Sequence, residues 1–265
     1  MAGTGDLSPW TIARMLSPTP RREPILNVPA VLVGTLAVLL LVHVVRLFLP
    51  ESAEVEFLLL FAFIPARYDA NIVTNAVWPG GLGADIWTFV TYALIHADWM
   101  HLGFNAIWFL AFGTPVARRF GPLRFLAFCA VTAAAGALAH LMTHFGQLVP
   151  MVGASGTISG MMAGAMRFAF QLGGPLRFGG TDESYRVPAL PLLEALRDTR
   201  ILAFIAVWFG LNLLFGLGSV SFTGSEQSIA WQAHVGGFLA GLLLFSWFDP
   251  VKTPSYRNDP PSHAA

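Results

Sequence analysis

The distribution of apolar residues leaves few folds open to this chain. Six stretches, 29–49, 99–117, 122–142, 152–170, 201–218 and 230–248, are each bounded by proline, glycine or charge. Each approaches the roughly 20 apolar residues that a helix needs to cross the hydrocarbon of a bilayer. Across the 265 residues 55% are hydrophobic and only 11% are charged, which is too apolar a balance for a soluble domain. The pattern predicts an all-α, polytopic membrane protein of six transmembrane helices. A cytoplasmic segment, 1–28, would precede the membrane domain, 29–248, and a cytoplasmic tail, 249–265, would follow it. The first stretch is longer than a signal-peptide core and lacks an A-x-A cleavage pattern, so it reads as a retained span.

Charge supplies the orientation. Lys and Arg accumulate in short cytoplasmic loops, and with the N-terminus inside, 13 of the 15 Lys and Arg residues fall on that side, leaving Arg46 and Arg67 outside. Two shorter apolar pieces, "VEFLLLFAFIP" from Val55 and "IWTFVTYALI" from Ile86, have the length of interfacial or re-entrant segments. Counting either one alone as a span reverses every later helix and scatters the charges, so both belong to one long loop between the first two spans. The inner loop 171–200 reads as a surface linker with a short amphipathic helix. Formal net charge is zero and no basic run interleaves with aromatics, which argues against nucleic acid as a partner. The lone Cys129 excludes a disulfide framework or a cysteine-based metal site.

In this topology the second, fourth and sixth spans all start at the outer face, and their first turns hold unusual polar residues. The second opens "WMHLGFNAIW", with His101 and Asn105; the fourth opens "VGASGTIS", with Ser155; the sixth opens "AWQAHVGGFLAG", with His234. At 1.5 Å per residue each lies within about 10 Å of the start of its span. Gly156, Gly160 and Gly164 on the fourth span, and Ala233, Gly237 and Gly241 on the sixth, form two small-xxx-small series of the kind that lets membrane helices approach closely. If these stripes face each other, Ser155 and His234 meet at the top of the contact. His101 and Asn105, four apart, share a helix face and are suitable donors to a developing oxyanion, together with the free backbone N–H of Ser155. Gly153 and Gly156 would let a substrate backbone come near.

Other chemistries lack their residues. There is no H-E-x-x-H for a zinc protease, and "GASGT" is not the G-x-S-x-G elbow of an α/β-hydrolase. "GLGAD" at 81–85 lies outside the spans, without a second mid-span carboxylate. His140 and His144, four apart, have no further ligands at metal-site spacing, so no metal or cofactor is expected and interfacial placement is preferred. His43 reads as snorkelling near Arg46, and His96 as part of a wet loop. No Asp or Glu within the spans is placed to orient His234, so any catalysis reads as a Ser-His dyad. A small transporter with a polar pocket would be built from paired broken helices in inverted repeats, and no such repeat is visible.

With "HADWMHLGFN", "GASG" and "AHVGGFLAG" in this order on six spans, the sequence resembles the rhomboid family of intramembrane serine proteases over roughly 29–248. The resemblance implies Ser155 as nucleophile, His234 as base and then acid, and His101 and Asn105 as oxyanion donors. It implies single-span membrane-protein substrates within a lipid bilayer, while the absence of a cleaved signal and of an organellar targeting segment fits a bacterial plasma membrane with the site toward its outer face, an organelle membrane being the alternative. It also implies that the loop 50–98 is a membrane-embedded hairpin, and that the fifth span with the loop 219–229 is a lateral gate. The alternative within the same fold is a catalytically silent relative that binds or escorts membrane helices. Two positions depart from the pattern: Ser159 stands where some bacterial members have a tyrosine packed on the histidine, and the first loop has Arg67 but not the usual Trp-Arg pair.

Overall fold

The computed structural model describes residues 28–73, 78–176, 182–216 and 230–251, and these are mainly helical. Eight helices of eleven residues or more follow one another: α1 Ala30–Arg46, α2 Glu51–Phe61, α3 Gly81–Thr91, α4 Trp99–Phe120, α5 Pro122–His144, α6 Ser155–Ala169, α7 Thr199–Gly216 and α8 Trp231–Phe248. The loop 219–229, and most of both terminal segments read from the sequence, lie outside the described residues.

Local chemistry sets the boundaries. Proline stands directly before α1 and α2 and at the first position of α5, where its missing N–H has no helical partner to lose. Gly121, at φ 75°, adopts a positive-φ conformation that favours glycine, ending α4 and turning the chain into Pro122. Asp98 caps α4 by accepting a hydrogen bond from the His101 N–H at 2.8 Å. Helices α2 and α3 have 11 residues each, about 16 Å at 1.5 Å per residue, which is too short to cross hydrocarbon about 30 Å thick.

Among the described residues, only α5 is both long and apolar enough to cross a membrane on those two criteria, while α1 and the 199–214 part of α7 are apolar but shorter. The first turns of α4, α6 and α8 contain His, Asn, Ser, Thr and Gln, which lowers their mean hydropathy, and α6 has only 15 residues. The outer surface is apolar. Leu41, Ile107, Leu138, Val207, Leu243 and Trp247 are all exposed, a surface suited to lipid and costly in water.

Helix α6 is the axis of the bundle, buried on every side from Gly156 to Ala169. Helix α8 packs chiefly on α6 and α5, α4 on α6 and α1, and α7 on α8. The contact between α6 and α8 is backbone on backbone. A Cβ added at Gly237 would lie 2.0 Å from the Gly156 carbonyl oxygen, and one at Gly241 would lie 2.2 Å from that of Gly160. Helix α5 comes equally close: a Cβ at Gly236 would be 2.5 Å from the Ala135 carbonyl oxygen.

The far end of the bundle is held by two buried arginines. Arg119 pairs with Asp249 at 2.8 Å and donates to the carbonyls of Tyr185 and Val187, lying 4.5 Å from the Phe168 ring centroid. Arg167 donates to the carbonyls of Leu190 and Leu242. The stretch read as a surface linker is therefore tied into the bundle through 185–190, and among its described residues lie the short helical turns Asp182–Arg186 and Leu192–Ala195.

Candidate active site

Ser155 is the first residue of α6, and three hydrogen bonds from the long loop hold the chain that leads into it. Phe63 and Met151 exchange N–H···O bonds of 3.1 and 2.8 Å as an isolated antiparallel bridge, and the Gly153 N–H donates to the Tyr92 carbonyl at 3.0 Å. The Ala154 N–H then points to His96 Nε2 at 3.4 Å. Such a strap keeps an irregular segment from leaving buried backbone groups unpaired. Arg67 anchors the loop itself, although no Trp-Arg pair is present in sequence. Its guanidinium is buried, bonds Asp85 at 3.1 Å and the carbonyls of Leu59 and Pro79, and lies 5.0 Å from the Trp78 ring centroid.

Three histidines read otherwise from sequence prove to be interior. His96 is fully buried, against its reading as part of a wet loop, and burial, helped by the nearby His101, His43 and Arg46, pushes its pKa down to about 3. The neutral ring can therefore offer its Nε2 lone pair to Ala154. His43 does not snorkel: it is 3% exposed and packs edge-on against Trp99, with ring centroids 4.5 Å apart. His140, expected at the interface, is buried as well and stacks on His144 at 4.1 Å. Among the described residues no group of three or more His, Cys, Asp or Glu could hold a metal.

Three of the polar residues singled out, His101 on α4, Ser155 on α6 and His234 on α8, lie around one point. The Ser155 Oγ is 2.7 Å from His234 Nε2, across 79 positions of sequence. Both residues are only partly buried. The His101 ring lies against Gly153, where a Cβ would come within 2.7 Å of Nε2 and 3.8 Å of Ser155 Oγ. Gly153, at φ 122°, is held in a conformation that favours glycine. His101 Nδ1 faces the Ala97 N–H at 3.5 Å, which favours the tautomer with its proton on Nε2, the ring nitrogen beside Gly153. Asn105 is buried on the same helix and spends one amide N–H on the His101 carbonyl at 3.0 Å. The first N–H groups of α6 have no intrahelical acceptor, so the Ser155 N–H is available on this side too. Beneath the site, buried Tyr92 donates its hydroxyl to the Ala133 carbonyl at 2.9 Å and lies against Gly156; burial raises its pKa and keeps it neutral.

One member of the cluster escaped the sequence reading. Asn212, buried on α7, places Oδ1 2.5 Å from His234 Nδ1 and donates its own Nδ2–H to the Trp208 carbonyl at 2.8 Å. Because the NH2 group is committed to a carbonyl, the atom facing the histidine is the acceptor, and Nδ1 must carry the proton. Nε2 is then a lone-pair acceptor for the Ser155 hydroxyl. The partner of the imidazole is an amide and not an Asp or Glu, and its one signal in the sequence is a lone Asn in the apolar run "WFGLNLLFG". Ser159 turns its hydroxyl back to the Ser155 carbonyl at 2.8 Å.

Comparison with known proteins gives the family. The model of the Rhomboid domain matches residues 83–248, more than half of the chain. The chain belongs to the rhomboid family. It is therefore an integral membrane protein with a helical-bundle fold. This rhomboid is similar to proteins named rhomboid protease GlpG: 27% identical over 190 residues to that of an Enterobacter species, covering 71% of this chain and 58% of the relative. It is 26% identical over 184 residues to the Pectobacterium atrosepticum protein, covering 69% and 56%, and 25% over 181 residues to a Yersinia pestis protein, covering 68% and 55%. The rhomboid described here thus spans little more than half the length of these relatives.

Proposed function

We propose that this rhomboid is an intramembrane serine endopeptidase in which Ser155 attacks a peptide carbonyl and His234 serves first as base and then as acid. The observation that carries the reading is the 2.7 Å approach of Ser155 Oγ to His234 Nε2, within the 2.6 to 3.2 Å that an activated nucleophile requires. As the Ser155 oxygen bonds to the carbonyl carbon, its proton moves to Nε2, and the negative charge on the carbonyl oxygen is met by donors from His101, Asn105 and the Ser155 backbone N–H. His234 then returns the proton to the leaving amine as the C–N bond breaks, and a water repeats the sequence to release the acyl group.

In this reading α1 and α4 to α8 are the six spans, within a membrane domain running from 29 to 248. Both termini are cytoplasmic, and the site opens near the outer face of a bacterial plasma membrane. Water reaches a shallow, partly exposed site that the bilayer centre would keep dry. Substrates are single-span membrane proteins whose helix unwinds locally, since a hydrogen-bonded helix does not present its carbonyls to a nucleophile. Gly153 and Gly156, read from sequence as openings for a substrate backbone, admit neighbouring protein groups instead: the His101 ring lies against Gly153, and the Tyr92 hydroxyl and Ala233 carbonyl lie against Gly156. The reading of a silent helix-binding relative has no comparable support, because serine and histidine are both present at hydrogen-bond distance.

Fluorophosphonate labelling of purified wild type, Ser155→Ala and His234→Ala in mild detergent tests the proposal, alongside cleavage of a single-span reporter. Labelling and cleavage by wild type alone are expected, with all three proteins giving the same helical circular dichroism. Cleavage that survives Ser155→Ala would remove the proposed nucleophile, and folded wild type that neither labels nor cleaves would favour the silent relative.

A further inference from the structure

The interaction that the Ser-His reading leaves unused is the one behind the imidazole. A neutral histidine has two tautomers, and only the one with the proton on Nδ1 can accept a proton at Nε2. Nothing on α8 itself selects this tautomer or holds the ring plane. Ser159, one turn beyond Ser155, spends its hydroxyl on its own helix. The atom placed to do so is Asn212 Oδ1, 2.5 Å from Nδ1, with its amide orientation fixed by the 2.8 Å bond from Nδ2 to the Trp208 carbonyl. Trp208 is in turn stacked on Phe238 of α8, ring centroids 4.4 Å apart and 21° from parallel. The chain of contact from α8 through Trp208 and Asn212 back to His234 closes on itself.

We propose that Asn212 is the positioning residue of this site: its amide oxygen holds His234 in the Nδ1–H tautomer, aims Nε2 at Ser155, and bears part of the positive charge when the imidazolium forms. The inference rests on the reading of Ser155 and His234 as nucleophile and base. No proton passes to Asn212. The serine proton moves to Nε2, Nδ1 keeps its own, and the bond to Oδ1 changes from neutral to charge-assisted and strengthens as the transition state is reached. An interaction that strengthens in this way acts on kcat rather than on substrate binding. An amide does this with less charge stabilisation than a carboxylate, but without burying an anion in the bundle.

The location of Asn212 gives the device a second property. It sits on α7, which packs chiefly on α8 and turns Val207 and Leu211 outward. The histidine is therefore set by a helix other than the one that carries it. Any separation of α7 from α8 withdraws the acceptor, and the ring of His234 is then free to turn or change tautomer. The base is armed only while α7 is docked.

The test compares wild type, Asn212→Leu and Asn212→Asp for kcat and KM on a single-span reporter, for the rate of fluorophosphonate labelling, and for thermal unfolding. Asn212→Leu is expected to lower kcat and labelling rate about 10- to 100-fold, the value of one hydrogen bond to a charged group, with KM within about twofold. Asn212→Asp, which keeps an oxygen acceptor, should recover most of the loss. If folded Asn212→Leu labels and cleaves like wild type, the positioning role is wrong while the Ser-His reading stands. If wild type itself neither labels nor cleaves, the reading beneath falls and takes this inference with it. Should Asn212→Leu fail to fold, Asn212→Asp decides: folded and active supports the role, whereas folded and slow by the same factor overturns it.

Discussion

Gly237→Ala offers the sharpest test of the idea that backbone contact between α6 and α8 sets the site. The added Cβ would lie 2.0 Å from the Gly156 carbonyl oxygen, 2.7 Å from its carbon and 3.2 Å from its Cα. All three are backbone atoms of a helix buried on every side, so no side chain can swing away. Restoring even a 3.0 Å contact requires the helices to part by about 1 Å, since interiors packed this closely transmit such strain and do not absorb it. Gly237 is one turn from His234, and Gly156 adjoins Ser155. The 2.7 Å bond between their side chains is then stretched beyond hydrogen-bond reach. A 1 Å misplacement of reacting groups costs on the order of 100-fold in rate, and overpacking of this kind costs roughly 1–3 kcal/mol of stability. Cleavage of a single-span reporter, read with the apparent Tm in the same detergent, should show both losses. Gly34→Ala, which would meet nothing within 4 Å, is the control and should match wild type. A Gly237→Ala protein that cleaves within threefold of wild type would show that the two helices can part without moving the site.

Two further substitutions probe the rest of the frame. Arg119→Ala leaves Asp249 buried and unpaired and strips the carbonyls of Tyr185 and Val187 of their donor; loss of about 3–5 kcal/mol is expected, seen as a lower midpoint in denaturant titration, and an unchanged midpoint would refute the role of this anchor. His96 supplies a pH dependence. Its pKa falls from 6.5 to about 3 on folding, so the unfolded chain takes up the proton first, and the stability held above pH 6.5 is lost as pH falls toward 3. At pH 5 the loss is about 2 kcal/mol. Apparent Tm measured at pH 7 and pH 5 should drop further for wild type than for His96→Gln, and equal drops would place the acid sensitivity elsewhere.

Much of the frame was legible because bilayer and helix impose one-dimensional rules. Apolar runs, the prolines that open α1, α2 and α5, and the glycine that ends α4 are local features, and each determines a boundary almost by itself. The candidate nucleophile and histidine could be picked out as polar groups in the first turns of otherwise apolar runs. Glycines at intervals of four on two helices were enough to suggest that these runs touch. Histidines were harder. His43, His96 and His140 were read as interfacial or wet because a sequence gives no depth for a ring that can be buried beside a tryptophan or under a loop. The inner stretch 171–200 looked like a linker, since nothing in it announces that Arg119 and Arg167, far away in sequence, would claim its carbonyls.

By itself the sequence determined the positions of the helices, the small-residue stripes and the types of residue available for chemistry, because these depend on composition and spacing along the chain. Tertiary structure alone decided that Asn212 stands behind His234, that His96 and Tyr92 hold the strand entering Ser155, and that Arg67 secures the loop above it. Each of those is a contact between side chains or backbone groups of segments that are separated in sequence. A hydrogen bond depends on distances of tenths of an ångström and on which lone pair faces which proton. Spacing along one helix carries no such information about another; it arises only when α4, α6, α7 and α8 are packed and each polar group must find its partner.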